Sequence, residues 1–313
     1  MGMTVNTVNP TETVFTDENG RMKRSLKFII SEEGRGRTVR DFLKNELHFS
    51  KRQISSLKYR EDGIRVNGVM QRVSYILEKG DVLEIVPKSA GSLYLDHGTF
   101  TEPPEILYED GDLLIVNKPS GMVCHPSPGH FADSLANQVA AYCSQKNESW
   151  TIRLVGRLDK DTSGAVIFAK NSETAALISQ KIGVEKIYYA LAEGSFDTGS
   201  GRIDFPIVSD ETMKGKMMIS PSGKPAITLY EVLNSPDPHC SLLKVQLIHG
   251  RTHQIRLHLA SAGHPLLGDA LYGHGIKGET HAMLHCRSVR LQHPFLSKEI
   301  FVEAPFPKDW PFF

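Results

Sequence analysis

The chain has 313 residues, of which 40% are hydrophobic, so it is long enough for about two domains with sizeable cores. Lysine plus arginine number 36, as do aspartate plus glutamate, so the overall charge argues neither for nor against a nucleic-acid partner. No run of about 18 apolar residues, no secretory signal and no close pair among the four cysteines is present, so the composition favours a cytoplasmic protein without a membrane span, a disulfide framework or a Cys-rich zinc site.

The first part of the chain is predicted to form a polar arm followed by a small α+β unit. Residues 1–24 are rich in Asn and Thr and are predicted to be a flexible arm. Residues 25–88 are predicted to be the small unit, in which Thr38 and Ser50 cap two helices. The dipeptide Asn67-Gly68 predicts a hairpin after these helices.

Charge is uneven within this unit. Between positions 35 and 60, eight basic residues stand against two acidic ones, Asp41 and Glu46. A basic pair of helices of this kind neutralises phosphates without reading sequence, although a solvated helix face shows the same excess. The predicted RNA contacts in this segment are Lys51, Arg52 and Arg60.

The larger remainder of the chain is predicted to be a second domain. A linker rich in Pro, Gly and Ser spans residues 89–104, and the domain covers residues 105–313. Strand-like runs outnumber helices there, which predicts an α+β fold with a mixed, mainly antiparallel sheet. The first strand ends at Pro119, and Lys118 before it is interpreted as a surface lysine.

A polar loop between two apolar runs is the most informative stretch. The sequence from Arg153 to Lys170 reads RLVGRLDKDTSGAVIFAK, and it places Arg157 two residues before Asp159. A solvated turn uses the same residue types. The return through Thr-Ser-Gly into a buried run nevertheless places the carboxylate of Asp159 at the edge of a sheet, where rigid scaffolds hold catalytic groups.

Two later segments are predicted to complete this site. In a strand from Lys186 to Glu193, Tyr188 shares a face with Lys186, and the opposite face is predicted to be the core, so Tyr188 points toward a cleft. A helix between Gly250 and Gly263 is predicted to be capped by Thr252. Arg256 lies near its positive end, where an anion binds, and Asp159 or a phosphate is the expected anion.

Four ordered motifs resemble the family of large-subunit ribosomal RNA pseudouridine synthases. They are Asn117 to Met122, the loop GRLDKDTSG, Lys186 to Ala190, and Gly250 to Leu259. One departure is that Gly156 stands where the family usually has His. The segment containing Ser50 to Ile54, Asp62 to Gly68 and Gly80-Asp81 is similar to the RNA-binding domain of ribosomal protein S-four, which commonly precedes this catalytic domain.

The resemblance implies that the protein isomerises uridine to pseudouridine in structured RNA, with large-subunit ribosomal RNA favoured over transfer RNA. It implies that Asp159 is the nucleophile or base, that Arg256 pairs with it, and that Tyr188 stacks on uracil or takes a sugar proton. Arg157 would fill the gap left by the extruded nucleotide. Lys186 and Arg251 are expected to be phosphate contacts or surface charges.

The expected enzyme needs no cofactor or metal, and we expect a monomer with RNA as its partner. Two other functions remain as alternatives. The cluster His249, His253 and His258 would suit a metal hydrolase, although the Glu expected after the first His of a zincin is missing. An RNA-binding protein with an inactive catalytic domain is the second alternative, which the substitution at Gly156 keeps open.

Overall fold

The computed structural model describes residues 11–16, 22–47, 49–58, 60, 62–86, 100–148, 150–237, 239–275, 281–308 and 310. These residues form an amino-terminal unit built on a five-stranded sheet and a larger unit built on a ten-stranded sheet, with a separate two-stranded ribbon. No helix among them is long and apolar enough to cross a membrane.

The amino-terminal unit has the strand order β1-β2-β5-β3-β4, with all neighbours antiparallel. Its elements are β1 (Thr11–Thr16), β2 (Met22–Ile29), a 3₁₀ turn (Glu32–Gly34), α1 (Val39–Asn45), α2 (Lys51–Lys58), β3 (Ile64–Val66), β4 (Val69–Met70) and β5 (Val82–Ile85).

The local signals of this unit are confirmed. Thr38 caps α1 by accepting a hydrogen bond from the N–H of Asp41 at 3.1 Å. Ser50 caps α2 in the same way, from the N–H of Gln53 at 3.3 Å. Asn67 and Gly68 have φ values of 51° and 80°, the left-handed pair that a two-residue hairpin requires.

The predicted flexible arm over residues 1–24 is wrong for residues 11–16, which form the edge strand β1, and for residues 22–24, which begin β2. This strand pairs with β2 along its whole length, from Thr11 opposite Lys27 to Thr16 opposite Met22. Thr, Val and Phe favour a strand when a neighbouring edge is available, and sequence composition does not reveal that edge. Residues 89–99 of the predicted linker lie outside the described residues.

The larger unit is α+β with a mixed, mainly antiparallel sheet, as predicted. The sheet order is β11-β14-β15-β10-β16-β9-β7-β6, with β17 on β16 and β8 on β9. Its elements are β6 (Glu105–Glu109), β7 (Leu113–Lys118), α3 (Leu135–Gln145), β8 (Arg153–Val155), β9 (Ser163–Ala169), α4 (Ser172–Leu177), a π-helical turn (Ile178–Ile182), β10 (Glu185–Glu193), β11 (Ser200–Asp204), β12 (Ile207–Ser209), β13 (Met217–Ile219), β14 (Ile227–Asp237), β15 (Cys240–Leu247), α5 (Gln254–Ser261), β16 (Leu284–Gln292) and β17 (Glu299–Glu303).

A single parallel contact lies at the centre of this sheet. β9 and β16 run parallel where Ser163 pairs with His285 and Gly164 with Cys286. Gly164 has a φ of +108°, and a Cβ built on it would lie 2.3 Å from the carbonyl oxygen of Cys286. The glycine of the Thr-Ser-Gly sequence therefore allows two strands to approach at the point where the loop of Asp159 ends.

Strand β10 is covered on both faces, which corrects the predicted orientation of its side chains. Tyr188 and Ala190 belong to the main core, whereas Leu191 belongs to a smaller cluster completed by Trp310. The face predicted to point away from the core is therefore the main core face. Alternation alone does not reveal this, because both faces of the strand carry apolar side chains.

The two units pack against each other through apolar side chains. Leu177 and Phe295 of the larger unit join the core of the amino-terminal unit and are 5% and 7% exposed. In addition, the side-chain amide of Gln53 donates to the carbonyl of Ser172 at 3.4 Å. The basic helix α2 is thereby held beside helix α4 of the larger unit.

Candidate active site

Asp159 lies in the loop that joins β8 to β9, at the wall of a narrow cavity. The loop closes on itself where the N–H of Thr162 donates to the carbonyl of Asp159 at 3.2 Å. The cavity measures about 80 Å³. Its lining combines the loop, strand β10 and the start of α5, and consists of Arg157, Leu158, Asp159, Thr162, Tyr188, Leu247, Gly250, Arg251, Gln254, Ile255, Arg256 and Leu284. The structure therefore brings Asp159, Tyr188 and Arg256 together.

Lys118 is fully buried under the catalytic loop, so its interpretation as a surface lysine is wrong. Its Nζ donates to the carbonyls of Pro119, Met122 and Lys160 at 2.9, 2.7 and 2.9 Å. Burial lowers its pKa from 10.5 to about 8, although the nearby carboxylates of Asp161 and Asp159 act to raise it. These hydrogen bonds tie the end of β7 to the loop that carries Asp159, so the lysine holds that loop in place.

Arg256 is held mainly by Asp269, so its predicted pairing with Asp159 is wrong. Its Nε and Nη2 donate to the two carboxylate oxygens of Asp269 at 2.8 and 2.7 Å. Its Nη1 lies 3.6 Å from the carboxylate of Asp161. Burial acts to lower the pKa of Arg256, but the hydrogen bond and charge of Asp269 raise it, with smaller contributions from Asp159 and Asp161. Asp159 is thus near the guanidinium but remains available to a substrate.

The helix that carries Arg256 starts differently from the prediction. The residue before the helix is His253, in the left-handed region with φ 54° and ψ 20°, and Thr252 is not the cap. The side chain of Gln254 accepts from the N–H of Arg251 at 3.0 Å and donates to the carbonyl of Ile227 at 2.9 Å. A buried glutamine therefore anchors the helix start to β14.

Tyr188 combines burial with access to the cavity. It is 7% exposed. Burial, followed by the neighbouring Cys286 and Asp159, raises its pKa well above the ordinary value of 10. The phenol therefore stays protonated at neutral pH, and it is suited to stacking or to donating a hydrogen bond rather than to acting as a phenolate.

The basic residues around the cavity occupy different positions. Arg157 is exposed and donates to Thr252 Oγ1 at 3.2 Å, and Arg251 donates from Nε to the carbonyl of Pro225 at 3.0 Å. Lys186 lies beside Gly156, since a Cβ built on that glycine would be 3.7 Å from its Nζ. The φ of +71° at Gly156 strains any L side chain, which gives a physical reason for glycine at this position.

In the amino-terminal unit, acidic residues inside and outside the basic segment reduce its charge. Arg35 pairs with Glu32 and Glu78, and Arg37 pairs with Glu46. Arg60 contacts Asp62 through Nη2 at 2.8 Å. A phosphate contact by Arg60 remains a prediction that competes with this ion pair. Lys51 is exposed on α2, and Arg52 lies on the same helix, with its side chain outside the described part of the structure.

The histidines considered for a metal hydrolase do not converge. His258 bonds Thr228 Oγ1 at 2.9 Å and the carbonyl of Phe205 at 3.0 Å, so both its ring nitrogens are engaged. His253 instead bonds Tyr272. Among the described residues, the ligand-type atoms that do lie within 4.8 Å of one another belong to a different group, Asp110, Asp112 and His293.

This acidic group is suited to hydrogen bonding rather than to metal binding. The Nδ1 of His293 accepts from the N–H groups of Phe295 and Leu296 at 3.1 and 2.9 Å, so the ring proton sits on Nε2. Nε2 faces the carboxylate of Asp110 at 3.0 Å. A protonated ring nitrogen is not a metal ligand, and the group instead fixes the turn after β16 to the turn before β7.

The sequence argument missed several residues of the site. Asp269 and Asp161 hold Arg256, and Tyr272 lies with its ring centre 5.6 Å from the Arg256 guanidinium carbon. The signal for Asp269 was weak, because Asp between Gly268 and Ala270 in a polar segment is typical of an ordinary turn. Its complete burial becomes visible only in the folded structure.

Comparison with known proteins gives consistent matches over both units. Residues 112–261 match the family model of RNA pseudouridylate synthase, and residues 26–83 match that of the RluD ribosomal pseudouridine synthase N-terminal domain. The chain is 37% identical over 292 residues to an uncharacterized RNA pseudouridine synthase of Bacillus subtilis, YhcT, with 91% of this chain and 95% of the relative covered. It is 33% identical over 267 residues to ribosomal large subunit pseudouridine synthase D of Haemophilus ducreyi, with 80% and 81% covered. The solved structure of human RNA Pseudouridylate Synthase Domain Containing 1 matches with a TM-score of 0.53 and 27% identity, with 66% of this chain and 84% of the human chain covered.

Proposed function

Because this chain belongs to the RNA pseudouridine synthase family, we propose that it converts specific uridines of large-subunit ribosomal RNA to pseudouridine, with Asp159 as the group that attacks the substrate. The observation that carries this proposal is the single cavity shared by Asp159, Tyr188 and Arg256. Arg157 and Arg251 add positive charge at the same cavity, which suits a polyanion.

The reaction breaks the bond between the sugar and the base, turns the uracil, and joins the anomeric carbon to carbon 5 of the base. It involves no net oxidation or reduction. A carboxylate positioned at the cavity wall provides the nucleophile or base that this sequence of steps needs, and Asp159 attacks either the anomeric carbon or the pyrimidine ring. Lys118 donates a hydrogen bond to the carbonyl of Lys160 in this loop, which keeps the carboxylate of Asp159 in one position.

Tyr188 and Arg256 support that step in different ways. The raised pKa of Tyr188 keeps it as a phenol, so we propose that it stacks on the uracil or donates a hydrogen bond during the reaction. Arg256 keeps a permanent positive charge beside the loop. Asp269 fixes the orientation of its guanidinium plane. That charge stabilises negative charge that develops on the substrate.

The target nucleotide has to leave its RNA helix to reach this site. A cavity of about 80 Å³ is smaller than the 300–1,000 Å³ typical of ligand pockets, so the pocket widens when the base enters. Arg157 is exposed, lines the pocket and donates a hydrogen bond to Thr252 Oγ1. We propose that it moves into the RNA to replace the extruded nucleotide, a step that costs a few kcal/mol.

The choice of ribosomal RNA follows from the relatives and from the amino-terminal unit. Relatives named ribosomal large subunit pseudouridine synthase D match over 66% to 80% of the chain. We propose that the amino-terminal unit binds RNA in the manner of the S-four domain, with Lys51 and Arg52 on α2 toward phosphates. A cytoplasmic location and a monomeric state remain predictions.

The test of the chemistry is release of tritium from RNA labelled at carbon 5 of uridine. The wild type should release tritium, and Asp159→Asn should release none while binding the same RNA with unchanged affinity. Asp197→Asn makes the same chemical change at an exposed position away from the cavity and should behave as the wild type. Equal release by the wild type and by Asp159→Asn would refute the assignment of Asp159.

The test of the substrate compares two labelled transcripts under the same conditions. We expect tritium release from large-subunit ribosomal RNA and none from a mixture of transfer RNAs. The reverse result would assign the enzyme to transfer RNA. Absence of release from both would support the alternative of an RNA-binding protein with an inactive catalytic domain.

A further inference from the structure

A second and larger cavity lies next to the catalytic pocket. It measures about 550 Å³ and is bounded by the β12–β13 hairpin, helix α5 and the turn at residues 271–273. Its walls combine polar side chains with a group of apolar ones, Met217, Ile219, Leu257, Leu271 and Tyr272. The catalytic steps proposed for Asp159 make no use of this cavity, which we name the hairpin cavity.

One layer of side chains separates the hairpin cavity from the catalytic pocket. Arg256 lines the pocket, and the next residue, Leu257, lines the hairpin cavity. The ring centre of Tyr272 lies 5.6 Å from the guanidinium carbon of Arg256. A group bound in the hairpin cavity is therefore close enough to the catalytic pocket to be part of the same substrate molecule.

The charges around the hairpin cavity favour a nucleic acid strand with a base turned inward. Lys216 lies 5.6 Å from the centre of the Tyr272 ring, and Lys214 and Lys224 are exposed nearby in sequence. The ammonium group of Lys216, which lines the cavity, suits a phosphate of such a strand. Within the cavity, the carboxylate of Asp210 disfavours a phosphate, whereas a neutral planar base stacks well on the ring of Tyr272.

We propose that the hairpin cavity binds a second unpaired nucleobase of the substrate RNA, next to Tyr272, while the target uridine occupies the catalytic pocket. This inference rests on the proposed function, because it assumes that the enzyme acts on RNA. The second base acts as a specificity determinant, since only an RNA with two unpaired bases at the correct spacing fills both sites.

Tyr272 links occupancy of the hairpin cavity to the catalytic pocket. Its hydroxyl accepts a hydrogen bond from the N–H of Met217 at 2.8 Å and lies 3.0 Å from Nδ1 of His253. His253 is the left-handed residue from which the helix of Arg256 begins. A base that presses on the hairpin or on the tyrosine ring thus acts on the start of that helix, and Tyr272 is a positioning residue.

The test uses a synthetic RNA hairpin that contains a ribosomal segment identified as a substrate by pseudouridine mapping. Single abasic nucleotides replace each position around the target uridine in turn. With the wild type, one position besides the target should raise KM by roughly 5- to 100-fold, the effect of losing one base stack. The variant Ala260→Phe fills the hairpin cavity, so it should raise KM on the intact RNA by a similar factor and should be insensitive to that abasic site.

Two controls separate this effect from damage to the fold. Ala262→Phe makes the same substitution at the exposed residue that follows the same helix and should leave KM unchanged. Tyr272→Phe keeps the ring but removes the hydroxyl, so it should lower kcat and leave KM close to that of the wild type. If Tyr272→Phe lowered kcat and raised KM by equal factors, the tyrosine would have a general structural role, and the proposed link would be contradicted.

A measurement on the wild type alone provides an independent test. The fluorescent base 2-aminopurine, placed at the sensitive position, should change its emission when the enzyme binds, because its stacking partner changes. The proposal is overturned if abasic substitution raises KM at no position besides the target. It is also overturned if abasic substitution raises KM by the same factor for the wild type and for Ala260→Phe at every position. Absence of tritium release by the wild type from every RNA would instead refute the proposed function.

Discussion

Arg256 and Asp269 form a buried bidentate ion pair with two hydrogen bonds of 2.8 and 2.7 Å. The carboxylate of Asp269 also accepts the N–H groups of Leu271 and Tyr272 at 2.9 and 3.2 Å. One acidic side chain therefore orients the arginine of the catalytic pocket and shapes the turn that borders the hairpin cavity. The bidentate geometry fixes the guanidinium plane in a way that a single contact does not.

Replacing Asp269 by Asn should destabilise the protein and impair catalysis together. The substitution leaves the buried charge of Arg256 without its main partner, which typically costs about 3–5 kcal/mol. We expect a decrease of that size in the free energy of unfolding, measured with urea. Tritium release, measured without urea so that the variant is folded, should also fall.

The control for this prediction is Asp204→Asn, which removes an exposed ion pair with Arg202, whose side chain is 54% exposed. Exposed pairs contribute about 0–1 kcal/mol, so this variant should keep the stability of the wild type. A loss at Asp269→Asn no larger than that at Asp204→Asn would show that the buried pair does not support the site.

Titration of Lys118 should make stability depend on pH in a defined direction. Its pKa is lowered to about 8 in the folded protein from an ordinary 10.5, so between these values the folded state binds fewer protons than the unfolded state. The contribution of Lys118 to the free energy of unfolding therefore rises with pH over this window and is constant below it. Urea denaturation from pH 7 to 10.5 measures this change.

The matched variant is Lys118→Met, which has no group to titrate. The difference in unfolding free energy, wild type minus Lys118→Met, should increase with pH above about 8. At pH 7 the variant should also lose activity, since three loop carbonyls lose their donor and Asp159 loses its support. A difference that stays constant with pH would mean that the lysine keeps its ordinary pKa.

Gly164→Ala should separate the strands β9 and β16. The added methyl group would meet the backbone of Cys286 at 2.3 Å, and the positive φ disfavours alanine as well. We expect destabilisation of several kcal/mol, of the order found for severe overpacking. Gly199→Ala provides the comparison, because nothing lies within 4 Å of the added atom there. Equal thermal midpoints for the two variants would contradict the proposed role of Gly164.

Local sequence signals predicted much of the fold because they depend on near neighbours. Thr38 and Ser50 cap their helices through hydrogen bonds to residues three positions later. The Asn67-Gly68 turn likewise depends only on two residues with left-handed backbone. The residues grouped around Asp159 were found because ordered motifs carry them, and the structure places them around one cavity.

Long-range partners were not predictable in the same way. The choice of Asp269 over Asp159 as the partner of Arg256 depends on how a turn folds back onto α5, which residue types in sequence do not specify. The burial of Lys118 similarly depends on a loop about forty residues later that supplies the carbonyl of Lys160. The main core was assigned to the wrong face of β10, although Tyr188 does line the cavity, because the tail containing Trp310 covers the other side of the strand.

The position of β16 has a consequence for the newly made enzyme. This strand is inserted between β9 and β10, so the loop of Asp159 and the strand of Tyr188 do not become neighbours until residues 284–292 have left the ribosome. At 5–20 residues per second, translation from Tyr188 to Leu284 takes about 5 to 20 s. During that interval the nascent chain carries a basic amino-terminal unit but not yet the cavity shared by Asp159 and Tyr188, so the chemistry proposed for Asp159 has to wait until synthesis is nearly finished.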